Sequence, residues 1–288
     1  MGMQGDKLIV NFTPTGMVPT KEMTPHVPIT VDEIVKDVLV CAEYGVSIVH
    51  LHARDESGAP TCRKETYGEI IGRIRERRPD LILCASTSGR LWPELEKRAE
   101  VLDLAEELRP EMASLTLGSM NFSRTASVNS PDMIKALASR MKDRGVKPEL
   151  EVFDFGMVNF AKYLARKGML RGPHYFNILL GNLGTAQPDL LTAGHIIREL
   201  PDESIWALAG IGGCQHRMTS LGILMGGHVR IGLEDNIFFD EGRKTLATNE
   251  MLVRRVYETA RALGREIATP DETRMMLGLE RRAPEPVE

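Results

Sequence analysis

The chain of 288 residues has no apolar run near the roughly 20 residues that a membrane-spanning helix needs. Its opening, MGMQGDKLIV, lacks the long apolar core of a secretory signal. A basic excess is missing too: 36 Lys and Arg against 40 Asp and Glu leave a formal charge of -4, so there is no electrostatic footprint for nucleic acid. Cysteine is sparse. Cys41, Cys62, Cys84 and Cys214 form no Cys-x-x-Cys pair, which excludes a paired-cysteine motif and suits reduced thiols in a cytoplasmic protein. No Gly-x-Gly-x-x-Gly follows the first apolar run, which argues against a nicotinamide cofactor. Linker-like tracts, low-complexity segments and short repeats are absent, so residues 1–288 are expected to form a single domain, with a loose, Pro-rich tail at 281–288.

What the chain does have is a rhythm. Eight runs rich in Val, Ile and Leu recur, at 8–15, 47–54, 81–87, 112–118, 148–153, 175–181, 205–212 and 228–235. Helical periodicity fills the gaps, at 31–45, 65–78, 93–108, 131–144, 156–168, 188–199, 215–225 and 244–263. Thr30 stands three residues before Glu33, the spacing of a capping box, and Pro131 follows Ser130 at a first helical position. Gly45, Gly145 and Gly168 sit where helices should stop. Nearly continuous apolar runs suit parallel strands covered on both faces. Eight strand–helix units predict a (β/α)8 barrel, the TIM-barrel form of an α/β protein, rather than an open doubly wound sheet.

Chemistry in such barrels sits where the strands end, and there the polar residues gather: Thr13 and Thr15; His50, His52 and Arg54; Ser86 and Thr87; Ser119 and Asn121; Glu151 and Asp154; Asn177 and Asn182; then Arg230, Glu234 and Asp235. In a strand, residues i and i+2 face the same way, so the rings of His50 and His52 can reach a common point. The last run ends in GLED, and in a closed barrel that end lies beside the histidines. Two His and one carboxylate form a common catalytic metal set, suited to zinc and acceptable to non-haem iron. Strand alternation puts Glu234 on the face of Arg230 and allows one of Glu234 and Asp235 to be the ligand.

HLHARDESGAPT, ASTSGR, RPEMASLTLGSMNF, PELEVFDFGM, WALAGIG, GGHVRIGLEDNIF and ATPDETRMMLGL resemble, in order and over about residues 8–279, the β-keto acid cleavage enzymes. The resemblance implies a zinc-binding (β/α)8 barrel, a homo-oligomer that is often a tetramer, and acetyl-CoA as co-substrate. Such an enzyme turns a β-keto acid and acetyl-CoA into acetoacetate and a new acyl-CoA. By motif, His50, His52 and Glu234 look like the zinc ligands, Asp235 like the base and Arg230 like its partner. Ser86 with Thr87, Ser119, Asn121 and Glu151 match substrate-pocket positions. The implied course is removal of the C2 proton, addition to the thioester carbonyl, movement of CoA to the keto carbon and a retro-Claisen cleavage, with zinc as Lewis acid. No strand end carries a lysine, so a Schiff base is not expected.

Further features bear on the reading. Some relatives read Thr-Gly-x-Glu after the first strand, where this chain has Val18; loss of that acid disfavours an ammonium-bearing substrate. Arg90 or Lys21 would meet a second carboxylate, or are solvated loop charges. Gly210, Gly212 and Gly213 in AGIGGCQH either present backbone N–H groups to CoA phosphates or serve a tight turn with positive φ. Two other classes compete: a metal-dependent hydrolase or another zinc aldol or Claisen enzyme, and a non-catalytic barrel. His26, His174, His195, His216 and His228 do not fall on strand ends as a hydrolase set would, and the full strand-end polar set argues against lost catalysis.

Overall fold

The eight apolar runs pair edge to edge, all in parallel, and close on themselves. The structure, a computed structural model, describes residues 7–280; the tail at 281–288 lies outside the described residues. The strands are β1 (Val10–Phe12), β2 (Ile48–Leu51), β3 (Ile82–Ala85), β4 (Met112–Thr116), β5 (Lys147–Val152), β6 (His174–Leu180), β7 (Ser204–Gly210) and β8 (His228–Ile231). Each pairs with its sequence neighbours, and β8 closes on β1 with Asn11 opposite Arg230. The barrel expected from the sequence is therefore present.

Helices α1 (Val31–Ala42), α2 (Lys64–Arg77), α3 (Leu95–Ala99), α4 (Pro131–Asp143), α5 (Phe155–Arg166), α6 (Leu190–Arg198), α7 (Gln215–Leu224) and α8 (Asn249–Ala262) follow the strands in turn. Thr30 and Glu33 make the capping box, and Ser130 caps α4 with Pro131 in its first turn. Three stretches differ from expectation. The helix expected over 93–108 is only α3 and a 3-10 turn over Glu100–Asp103. Leu102 and Leu104 are both buried, and residues two apart stand about 200° apart on an α-helix, so one regular helix cannot bury both. The last long helix starts at Asn249 rather than 244, because Asp240 accepts the N–H groups of Lys244 and Thr245 into a turn and Thr248 supplies the cap. The run at 47–54 breaks after Leu51: Ala53–Arg54 pairs antiparallel with Pro60–Thr61 around a turn that Asp55 organises.

A further helix, α9 (Pro270–Leu277), has a Thr269–Glu272 capping box and ends on Gly278 at φ 62°. It closes the bottom of the barrel. Leu277 and Ala268 join Ile9, Ile48, Ile82, Met112, Tyr175 and Ala207 in an apolar cluster inside the strands, apart from the larger core between strands and helices. His228 belongs to this floor: its Nδ1 accepts the Ile9 N–H at 3.0 Å, and burial pulls its pKa down to about 3, so the ring is neutral. Above the floor, the barrel interior turns polar.

Among the described residues no helix is long and apolar enough to cross a membrane, and the four cysteines are free.

Candidate active site

Half way up the barrel, β2 turns His50 inward and β5 turns Glu149 inward to meet it. Glu149 Oε1 lies 2.6 Å from His50 Nδ1, and Asn11 on β1 donates to Glu149 Oε2 at 2.7 Å. Both carboxylate oxygens are thus engaged, and Glu149 is wholly buried. Burial opposes its charge, but His50, Arg230 and Asn11 outweigh it and hold the carboxyl below the ordinary range. Burial likewise opposes protonation of His50, yet Glu149 and Glu234 prevail and hold the ring above its ordinary value. A carboxylate behind Nδ1 fixes the ring and directs Nε2 up the barrel axis, the arrangement that metal-binding histidines use.

One layer higher stands His52. The Nε2 atoms of His50 and His52 are 3.3 Å apart, and His52 Nε2 is 3.2 Å from Glu234 Oε1. Donors about 2.0–2.1 Å from a tetrahedral zinc stand roughly 3.3–3.4 Å from one another, so both separations fit edges of such a site. All three donor atoms lie within 4.8 Å of each other, and Glu234 Oε2 is buried without a hydrogen-bond partner. Burial holds the His52 ring below its ordinary value and therefore neutral, as a ligand must be. Glu234 stays charged: burial works against it, but His52, Arg230 and His50 hold it well below the carboxylate range.

Arg230 organises the other side. Its Nε and Nη2 grip the two oxygens of Asp235 at 3.0 and 3.2 Å, Nη2 also reaches Glu234 at 2.7 Å, and Nη1 reaches Glu151 at 3.2 Å. Glu149 lies 3.7 Å from Nη1. Four carboxylates around one guanidinium leave a buried excess of negative charge, which a divalent cation would offset. Asp235 is displaced upward: burial, reinforced by Glu234, outweighs Arg230. Alternation was expected to bring only Glu234 to the face of Arg230, but both acids reach it. The chain past β8 is a turn rather than strand, with Gly232 at φ 155° where a Cβ would stand 2.0 Å from the Thr13 carbonyl oxygen.

The other expected residues divide. Glu151 faces the cluster and accepts the Thr116 hydroxyl at 2.6 Å. Ser86 and Thr87 line a narrow cleft together with His52, Met17, Tyr67 and Trp92. The Thr87 hydroxyl is committed to the Ser114 carbonyl at 2.5 Å, whereas Ser86 Oγ only accepts a long contact from the Ser88 N–H at 3.3 Å. Ser119 and Asn121 are engaged away from the cluster: Ser119 Oγ accepts the Asn129 N–H, and Asn121 is exposed with its carbonyl held by Asn182. Gly210 packs where a Cβ would lie 2.6 Å from Gln215 Cα, and Gly212 has φ 72° with its N–H given to the Asp235 carbonyl at 2.8 Å. Gly213 meets only ordinary contacts. Val18 is 51% exposed while its neighbour Met17 lines the cleft, and Lys21 pairs with Glu33 at 2.7 Å on the surface.

Glu149, Asn11 and Thr116 were not singled out from the sequence. The available signal was the i, i+2 pair Glu149 and Glu151 in PELEV, which one strand face must carry together.

With its titratable groups gathered where the strands end, the molecule has the build of a barrel enzyme. The sequence profile described as "beta-keto acid cleavage enzyme" matches residues 7–279, and the chain belongs to that family. It is 40% identical over 279 residues to a 3-keto-5-aminohexanoate cleavage enzyme of Fusobacterium nucleatum, covering 96% of this chain and 99% of that one. It is 35% identical to a 3-oxoadipate:acetyl-CoA acetyltransferase of Cupriavidus necator, covering 94% of each. Among solved structures, a ternary complex of ObcA with a C4-CoA adduct and oxalate superposes with a TM-score of 0.76 at 21% identity, covering 88% of this chain and 68% of that one. That likeness concerns the fold.

Proposed function

We propose that the protein is a zinc-dependent β-keto acid cleavage enzyme that converts a β-keto acid and acetyl-CoA into acetoacetate and a new acyl-CoA. The observation that carries this reading is the convergence of His50 Nε2, His52 Nε2 and Glu234 Oε1 at metal-ligand separations beside an aspartate whose pKa is raised. Family membership and relatives named for acetyl-CoA transfer support it.

Zinc held by His50, His52 and Glu234 would supply Lewis acidity to the keto and carboxylate oxygens of the substrate. Asp235 takes the proton from C2. Arg230 alone would make it a weak base, but burial and Glu234 raise its basicity, while the two-pronged grip of Arg230 fixes its direction. Glu151, set by Thr116 and Arg230, faces the same space and holds the substrate. Ser86 with Thr87 walls the cleft beside His52, and Ser119 and Asn121 lie on the loop after β4 at the rim. The phosphate end of CoA would rest on the 210–213 turn, where Gly213 adds no side chain; the Gly212 N–H is already taken by Asp235. A homotetramer would cover the exposed Leu183, Leu190 and Leu191, and the chain would fold as one domain in a reducing cytoplasm.

The test is acetoacetate release from a panel of β-keto acids with and without acetyl-CoA. Acetoacetate that appears only with acetyl-CoA supports the reading; cleavage without acetyl-CoA, to acetate and the free acid of the remaining chain, means a hydrolase.

A further inference from the structure

Among the described residues, Arg90 at the barrel mouth pairs with no carboxylate. Arg90 follows the cleft-lining Ser86–Ser88 segment, and its guanidinium carbon lies 3.7 Å from the centre of the Phe122 ring, on the loop after β4. Phe122 is itself fixed edge-on against Phe153, with centroids 6.0 Å apart and planes at 87°. Arg90 Nε is buried without a hydrogen-bond partner, and among the described residues no carboxylate lies within ion-pair distance of its side chain.

Neighbouring arginines show how unusual that is. Arg98, equally without a carboxylate, donates to the Thr87 carbonyl and to Asn129 Oδ1. Arg230, more deeply buried, holds several acids. Burial lowers the Arg90 pKa, and the opposing pull comes from Glu234, a candidate metal ligand, and Glu151, which meets Arg230 beside it. The guanidinium therefore looks electrostatically into the site. Stacking on a ring occupies the face of a guanidinium and leaves its N–H groups along the edge, where a carboxylate is held by two parallel bonds.

We propose that Arg90, stacked on Phe122, is a specificity residue that receives the far carboxylate of a β-keto dicarboxylic acid. The inference rests on the functional reading above and deepens it by naming the substrate class. The near carboxylate and keto oxygen belong to the His50–His52–Glu234 side; the far end of the chain extends toward the loops after β3 and β4. Val18, where an acid would suit an ammonium group, adds no opposing charge. Overall identity to relatives does not decide between these classes, since those with ammonium-bearing and with dianionic named substrates match at 40% and 35%; the rim side chains do.

The test compares kcat/KM for 3-oxoadipate and 3-oxohexanoate, six-carbon acids that differ by the far carboxylate, with 3-keto-5-aminohexanoate as the ammonium-bearing probe. A charge-assisted bond is worth about 10- to 100-fold, so the dicarboxylate should lead 3-oxohexanoate by at least that lower figure. Arg90→Gln should cut the ratio at least tenfold, mainly through KM for the dicarboxylate, and Arg90→Lys should restore part of it. An unchanged ratio, an equal loss on both acids, or preference for the amino acid by the unmodified protein overturns the proposal. So does a loss confined to the KM for acetyl-CoA, which would assign Arg90 to CoA. Calorimetric titration of the two acids without acetyl-CoA separates this inference from the reaction. If no acid yields acetoacetate, the functional reading fails, while tighter dicarboxylate binding that Arg90→Gln abolishes still upholds the receptor; equal binding of the two acids rejects it.

Discussion

Replacing Glu149 by glutamine keeps the shape of a buried side chain and removes its charge. In the native site the carboxylate stands 2.6 Å behind His50 Nδ1, receives Asn11 at 2.7 Å and lies 3.7 Å from Arg230. Glutamine can still accept the His50 Nδ1–H through its single oxygen, and its NH2 group can be met only if the Asn11 amide turns over to offer its unpartnered Oδ1. His50 then keeps a neutral acceptor behind Nδ1 but loses the negative charge that raises its basicity toward a metal. Removal of such an outer partner weakens metal binding by about 10- to 100-fold, which is about 1.4–2.8 kcal/mol. The two remaining ligand contacts, His52 and Glu234, are untouched, so zinc is weakened rather than lost. Competition with a fluorescent zinc chelator measures this directly. A Glu149→Gln protein that binds zinc within twofold of the native protein would refute the assignment of Glu149 as the group that holds His50.

Asp235→Asn should keep zinc and lower turnover by about 10²–10⁴-fold, because an amide takes no proton; steady-state kinetics with metal analysis on the same sample checks both halves. Native Asp235 should also show itself in the pH profile: a base with a raised pKa loses activity as pH falls through that raised value, so the acid limb of kcat should lie above the ordinary aspartate value of about 3.9. At the barrel floor, His228 is neutral down to about pH 3 when folded, whereas the unfolded chain protonates near 6.5. The unfolded state binds the extra proton in that window, so stability should be full above about pH 6.5 and fall by about 2 kcal/mol by pH 5 through this group. Urea unfolding at the two pH values reads it, and the slope should shrink in His228→Asn; an equal slope in that variant would reassign the pH dependence.

Strand and helix order was legible because each parallel strand is a solid apolar run and because caps such as Thr30–Glu33 and Ser130–Pro131 mark helix starts in local chemistry alone. Boundaries were less so. Nothing local announces that Leu102 and Leu104 must both be buried against the barrel, and that demand replaces helix with a 3-10 turn. Helix α9 had its Thr-Pro-x-Glu signal in plain view, but its role as a floor depends on Leu277 meeting residues from strands far away in the chain. The histidine pair with Glu234 and Asp235 stood out by spacing at strand ends. Glu149 did not, since a charged residue in the first half of a strand looks like a solvent-facing entry, and only closure of the barrel brings it beneath His50. The turn after β8 escaped for a related reason: strand alternation fails where Gly232 bends the chain, and so Arg230 reaches both acids.

The central claim is that acetyl-CoA supplies carbon to the product and that CoA departs on the substrate's keto carbon. Mass spectrometry after incubation with acetyl-CoA carrying 13C in both acetyl carbons tests it in one measurement. The account expects acetoacetate labelled at C3 and C4, with C1 and C2 drawn unlabelled from the β-keto acid, and a new acyl-CoA free of label. Unlabelled acetoacetate, label retained in the new thioester, or cleavage of the β-keto acid without acetyl-CoA would contradict it.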